Sequence, residues 1–565
     1  MSSLQRLAVR ATLAAPLLFA APVASAADAD AESNPDGARR LSIAYVNDIH
    51  AQLEPHPELF WNAAGGGTYT NERVRDAGGL SRIKTAFDRL AESRPHLLRI
   101  DGGDTFQGSG PGAWTEGGVM VRPVNALGIH YAIPGNWAVA YGADRLVELS
   151  KRLNYPLLSA NIYDEATGEL AFEPYRVTEV NGVRVGLIGF TDPDVPTRQP
   201  PYMSRGLSFR GQDVLQPAID KLTSGEGVEG GPVDVLVLIT HIGLMKSVEL
   251  AETLRGVDVL LSSDTHERTY EPIVRGETWI VEAGAFGSLM GVLDLSVRDG
   301  RIVDRRWELL ELRAEDYPED PAVKAIIEEE LAPHRDRMER QIGRTEVWLE
   351  RYNVMSSPLD RLIADAIREE ADAEIGLSNG YRFAPPTAPG PVTEGDLWNW
   401  LPTPLPLKLG GATGAQFKAY WESEFENVFS ADPDRLFGGW LARPSTNMHV
   451  DFNSAAPAGE RLIEITVDGE PLEEDRVYQI AAGTRDGQPE DQIHRVKQCR
   501  NVRTKDATTH TAVERYFRDR SPVQETGDSP LHCVVRPDVL RSQFLNPQVG
   551  ALADGEQGPE QDFGR

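Results

Sequence analysis

From residue 41 to about residue 318 the chain alternates short apolar runs with helical patterns, and this alternation restricts the fold more than any other feature. The runs are "LSIAYV", "HLLRI", "YPLLSA", "RVGLIGF", "VDVLVLI", "VDVLLS" and "WIVEAG". Several are apolar at nearly every position rather than at every second one. Such a strand must be covered on both faces, by helices or by a second sheet. The expected fold class is therefore α/β, with layered mixed sheets flanked by helices over 41–318.

The chain has 565 residues, too many for one core, so a second, smaller α/β domain is expected over 343–545. It opens with the helical pattern "SPLDRLIADAIREEA" and closes near "QFLNP". Between the two, 319–342 reads as a charged linker helix bridging the domains, and 546–565 as a disordered tail. At the other end, "MSSLQRLAVRATLAAPLLFAAPVASA" has Arg6 and Arg10, an apolar stretch and an Ala24-Ser25-Ala26 cleavage site. Residues 1–26 are thus expected to be a signal peptide cut after Ala26, leaving an exported, periplasmic protein. No later segment is long enough for a membrane span. The net charge of −29 argues against nucleic acid or an anionic membrane as a partner, because both require a basic surface. It also means that an anionic substrate would need concentrated positive charge at the site itself. Two cysteines, Cys499 and Cys533, are expected to pair in an exported chain.

Polar residues collect just after the apolar runs, where open α/β sheets place their sites. "YVNDIHAQ" offers Asp48 and His50 at i and i+2, which in extended chain point the same way. "LLRIDGGDTFQG" offers Asp104 after a Gly-Gly turn, and "IPGNWAV" offers Asn136. "VLVLITHIG" ends on His241, and "VDVLLSSDTHERT" ends with Asp264 and His266. Carboxylate, imidazole and amide groups at successive strand ends could hold two divalent cations, with one carboxylate bridging them.

In this order, D-x-H, G-G-D, G-N, T-H and D-T-H resemble the calcineurin-like metallophosphoesterases that carry a 5′-nucleotidase-type C-terminal domain. Within them the stretches "NDIHAQLEPH", "GGLSRIKT", "DGGDTFQGSGPGAWTEGGVMV", "GNWAVAYG" and "DTHERTYEPI" are similar to the SoxB-like thiosulfohydrolases, as are "GYRF", "TGAQFKAYWE" and "GGWLARP" further on. The resemblance implies two manganese ions. One would be held by Asp48, His50, Asp104 and His266, the other by Asp104, Asn136, His241 and Asp264. It further implies a SoxYZ-like carrier protein as substrate, from whose cysteine S-thiosulfonate sulfate is released during thiosulfate oxidation. Two positions depart from the pattern. Asp264 stands where the superfamily usually has histidine, and Ala138 where SoxB-like chains favour an acidic residue.

The remaining question is Trp137, which follows Asn136 where many such enzymes have a histidine. A nucleotidase expels a sugar alkoxide and benefits from an imidazole that donates a proton. Tryptophan offers one indole N–H and nothing titratable. A sulfur anion, whose thiol ionises at about 8.5, leaves with little or no acid assistance. Trp137 therefore suits thiosulfonate cleavage better than phosphate-ester cleavage. Across the cleft, Arg382 and Arg443 are the candidates for holding sulfonate or phosphate oxygens through their fork of donors. Tyr381, Phe437 and Trp440 could instead clamp a nucleotide base, so a 5′-nucleotidase is the second reading. A non-catalytic metal-binding module of the same fold is the third.

Overall fold

The structure is a computed structural model that describes residues 37–63, 69–352, 355–380, 383–430 and 440–535. The signal peptide and the tail expected from the sequence lie outside the described residues. The first half is a sandwich of a five-stranded and a six-stranded sheet. In the first sheet Arg39–Val46 lies between Leu97–Asp101, parallel to it, and Leu289–Arg298, antiparallel to it. In the second, Val183–Thr191, Val235–His241, Val259–Ser262 and Thr278–Glu282 run parallel, with antiparallel strands at both edges.

The run "LSIAYV" shows why both faces had to be apolar. Leu41, Ile43 and Tyr45 point between the sheets, against Leu187, Val237 and Leu261. Ala44 and Val46 point outward, under Leu80, Ile83 and Phe87 of the helix Leu80–Ser93. Period-two geometry thus feeds two cores from one strand. On the far face of the second sheet, Leu236 and Leu238 pack under Ile219, Leu222 and Val248. Of the seven apolar runs, "YPLLSA" forms no regular strand. Leu157 and Leu158 make only isolated bridges to Ala132 and Glu173.

The charged segment after residue 319 behaves differently from a free-standing bridge. Pro321–Leu331 buries Val323, Ile327 and Leu331 in the first domain's helical core, and Asp320 caps its N-terminus by accepting from two backbone N–H groups. Only the following turn spans the domains. Arg335 pairs with Glu54 on one side, while Arg337 and Arg340 pair with Glu394 on the other.

The second half holds a five-stranded sheet in which Ile375–Ser378, Val477–Gly483 and Pro406–Thr413 are central, plus a four-stranded sheet that ends at Leu531–Val535. The helix Pro358–Ala371 packs on the larger sheet, and Gly414–Phe429 starts from a capping box made by Thr413 and Gln416. Cys499 and Cys533 are both buried in this domain and are not joined, so the expected disulfide is not formed. Each thiol serves as a small apolar filler, with Cys533 beside the Ser454 hydroxyl.

Candidate metal centre and cleft

The strand ends turn sharply to deliver their polar residues. Asp48, His50, Asp104, Asp264 and His266 all take left-handed backbone conformations, with φ of 50°, 50°, 54°, 93° and 58°. Non-glycine residues rarely do this, and a concentration of such turns marks a place where position outweighs backbone comfort. Asp48 and His50 therefore share a direction through a left-handed turn rather than through extended chain. The turn is pinned by His50 N–H donating to Asp104 O at 2.8 Å and Asp48 N–H donating to Gly103 O at 2.9 Å.

Five of the seven candidate ligands bring their ligand atoms together. Asp48 Oδ1 lies 3.7 Å from His50 Nε2, 3.7 Å from His241 Nε2 and 3.6 Å from His266 Nε2. Asp104 Oδ2 lies 3.8 Å from His50 Nε2 and 3.3 Å from His241 Nε2. Two groups able to hold a cation result: Asp48 with His50 and His266, and Asp48 with Asp104 and His241. Asp48 is common to both groups, and Asp104 Oδ2 likewise faces a histidine of each.

Tautomers are set from behind. His50 Nδ1 faces the Gln107 carbonyl at 3.0 Å and His241 Nδ1 faces the Gly102 carbonyl at 2.8 Å. A ring nitrogen facing a carbonyl must carry the hydrogen, so when the ring is neutral each Nε2 turns its lone pair into the hollow. Asp48 Oδ1, Asn136 Oδ1 and His241 Nε2 are buried without a hydrogen-bond partner. Acceptor atoms crowded together with nothing donating to them fit divalent cations and little else. The electrostatics agree. Burial pushes the Asp48 carboxyl well above the ordinary carboxylate range. Burial also weighs against a charged His241, but Asp104 and Asp48 more than offset it and raise that imidazole to about 10. Positive charge is what this hollow lacks.

Asp264 sits beside the group with its carboxylate otherwise engaged. It accepts from Arg198 Nη2 at 3.0 Å, from Arg198 Nη1 at 3.1 Å and from Asn136 Nδ2. It belongs to neither cation-holding group. Arg198, which also pairs with the buried Asp192, was not read from the sequence. Its signal was the carboxyl end of the "RVGLIGF" strand, whose following segment "TDPDVPTRQPP" faces the same side as the other ligand turns.

The hollow opens into a cleft of about 360 Å³ between the domains. Trp137 lines it, half-buried, with its backbone N–H donating to Asp104 Oδ1 at 2.8 Å. From the second domain come Trp440, Arg485 and Arg495, and Arg485 donates to the Arg198 carbonyl at 3.0 Å. Arg443 is not among the lining residues. It is fully buried in the strand Arg443–Pro444, donating to the Leu441 carbonyl, so its fork of donors is not presented to the cleft as expected. Tyr381, Arg382 and Phe437 fall outside the described residues.

Residues 341–483 match the family model described as 5′-nucleotidase, C-terminal domain. Bovine 5′-nucleotidase is 25% identical over 492 residues, covering 78% of this chain and 81% of that protein. The solved structure of the Thermus thermophilus sulfate thiohydrolase SoxB superposes with a TM-score of 0.75 at 26% identity, over 88% of this chain and 97% of that one. The chain is thus similar in sequence and fold to SoxB and the 5′-nucleotidases. A 5′-nucleotidase precursor from Thermus thermophilus shares the fold, with a TM-score of 0.74 at 23% identity over 88% of this chain and all of that one. Together with the cation-holding groups, the likeness supports a metal-dependent hydrolase of the nucleotidase-type metallophosphoesterase class. No helix among the described residues is long and apolar enough to cross a membrane.

Proposed function

We propose that the protein is an exported, periplasmic thiosulfohydrolase that releases sulfate from a cysteine S-thiosulfonate on a SoxYZ-like carrier protein. The observation that carries this reading is Trp137 on the cleft wall, its main chain bonded to Asp104. There it brings no titratable proton to a leaving group. In the reaction, water oxygen bonds to the sulfonate sulfur, the adjoining sulfur–sulfur bond breaks, and its electron pair stays on the carrier as a persulfide anion. Two protons pass to solvent as sulfate departs. A sulfur anion needs no acid partner, which makes tryptophan acceptable at this position.

Asp48, His50, Asp104, Asn136, His241 and His266 would hold two divalent cations, manganese suiting the mixed oxygen and nitrogen donors. When bound, such ions supply Lewis acidity toward the substrate's anionic oxygens and make water acidic enough to attack near neutral pH. The chain's own work is to aim the imidazoles, through the Gln107 and Gly102 carbonyls, and to hold Asp104 through the Trp137 N–H. SoxB, by its printed name a sulfate thiohydrolase, supports the substrate class. A 5′-nucleotidase activity is the second reading, favoured by Trp440 in the cleft and by the curated relatives' names. Parallel assays with manganese separate them: sulfate released from a peptide S-thiosulfonate against phosphate released from AMP. Faster phosphate release would overturn the thiosulfonate assignment.

A further inference from the structure

The donors around the hollow divide into two kinds. Asp48 Oδ1, Asn136 Oδ1 and His241 Nε2 are buried and unclaimed. Asp264, adjoining them, is fully claimed: Oδ1 accepts from Arg198 Nη2 and Asn136 Nδ2, and Oδ2 accepts from Arg198 Nη1. Arg198 is itself locked, because its Nη1 also binds Asp192, a carboxylate with no solvent exposure. The guanidinium thus spans two carboxylates and reaches the cleft wall with about a fifth of its side chain exposed, at 22%. Beyond it, the Arg198 carbonyl is held by Arg485 of the second domain.

This arrangement has an electrostatic consequence for metal binding. The cation position formed by Asp48, Asp104, His241 and Asn136 Oδ1 lies next to the Asp264 carboxylate, since one Asn136 amide serves both. A cation there would gain a further oxygen ligand only by taking Asp264 from Arg198. It would also meet a fixed like charge. A forked guanidinium–carboxylate pair in a mostly buried place yields reluctantly, since breaking it strands a charge. The position formed by Asp48, His50 and His266 bears no such burden.

We propose that Arg198 competes with the second cation for Asp264, so that the two cation positions differ in affinity and Arg198 sets the difference. This rests on the two-cation reading above. The expected behaviour is one tightly bound ion at the Asp48–His50–His266 group. A second ion would bind more than about tenfold more weakly at the Asp104–His241 group.

The experiment strips the full chain with a chelator and titrates it with manganese(II), following heat and the paramagnetic resonance of free and spin-coupled ions. The wild-type protein should show two unequal steps. Arg198→Met should tighten the second step about tenfold or more and leave the first unchanged. Because that variant leaves Asp192 buried without its partner, Arg198→Lys serves beside it. A single ammonium can satisfy Asp192 but cannot fork onto Asp264, so a smaller tightening of the same step is expected. Two equal steps in the wild type, or a second step unchanged or weakened in a folded Arg198 variant, would overturn the competition and spare the metal centre. Failure to bind any manganese would overturn the metal centre, and the competition with it.

Discussion

Gly135 offers the sharpest test of how the chain positions a ligand. A Cβ built there would lie 2.0 Å from Asp104 Oδ1 and 2.5 Å from its Cγ. Ordinary contact requires about 3.3 Å, so in Gly135→Ala the carboxylate must retreat by more than about 1 Å. Two things break together. The Trp137 N–H loses its 2.8 Å bond to Oδ1, and Oδ2 is drawn out of its 3.3 Å approach to His241. Losing a hydrogen bond to a charged acceptor costs about 1.5–3 kcal/mol, and the added methyl in a close-packed turn costs about as much again. For the metal centre, displacing a ligand's support typically lowers affinity about 10–100-fold. The assay is calorimetric titration with manganese, alongside turnover at saturating metal. Gly211→Ala is the control, because its new methyl would come no closer than 3.3 Å to Asp213. Unchanged manganese affinity in Gly135→Ala, with the protein folded, would refute the claim that this contact places Asp104.

Arg268 and Glu58 form a buried pair at 3.1 Å, so Arg268→Met should destabilise by about 3–5 kcal/mol in denaturant unfolding, and adding Glu58→Gln should recover much of that loss. Asp101, fully buried, is raised by burial from 3.8 to about 6, so the metal-free folded protein holds its proton more tightly than the unfolded chain does. Its stability should therefore fall as pH rises from about 4 to about 6, by up to about 3 kcal/mol, and stay reduced above that. Asp101→Asn should flatten this window in chelator-treated unfolding curves; an unchanged slope would count against it. Trp137→His should raise phosphate release from AMP about a hundredfold relative to sulfate release, the low end of the range that one positioned acid supplies. No gain would undercut the leaving-group argument.

What was legible in the sequence depended on range. The apolar runs could be read as covered strands because each run's own composition carries that information, and "RVGLIGF" and "VDVLVLI" became central parallel strands. The polar residues that follow could be read because a strand end fixes where the next two or three residues go. "YPLLSA" was composed like a strand, yet its neighbours leave it only single bridges. The segment expected as a charged linker helix carries Val323, Ile327 and Leu331, which suffice to seat it on the first domain. Arg198 could not be read, because nothing local distinguishes an arginine that will meet carboxylates six and sixty-six residues away. Arg443 failed for the opposite reason. A guanidinium's fork of donors suggested an anion clamp, and the residue lies buried in a strand.

The charges of the cleft explain why its chemistry requires cations. The chain carries a net charge of −29, so an anion approaches against the field of the whole protein. The arginines on the wall do little to reverse this, because several are already matched to acids. Arg198 is engaged by Asp192 and Asp264, Arg495 by Glu424, and Arg351 by Asp360. Asp104 and Asp264 face the same space, with Asp48 immediately behind them. A sulfonate or phosphate placed there would meet carboxylates at the point of reaction. Only ions held by the unclaimed donors of Asp48, Asn136 and His241 convert that region from repelling to attracting. The same donors that make the hollow itself short of positive charge thus become, with cations in place, the reason an anionic substrate stays. Substrate binding and metal binding are on this account one electrostatic event, with Trp137 contributing shape rather than charge.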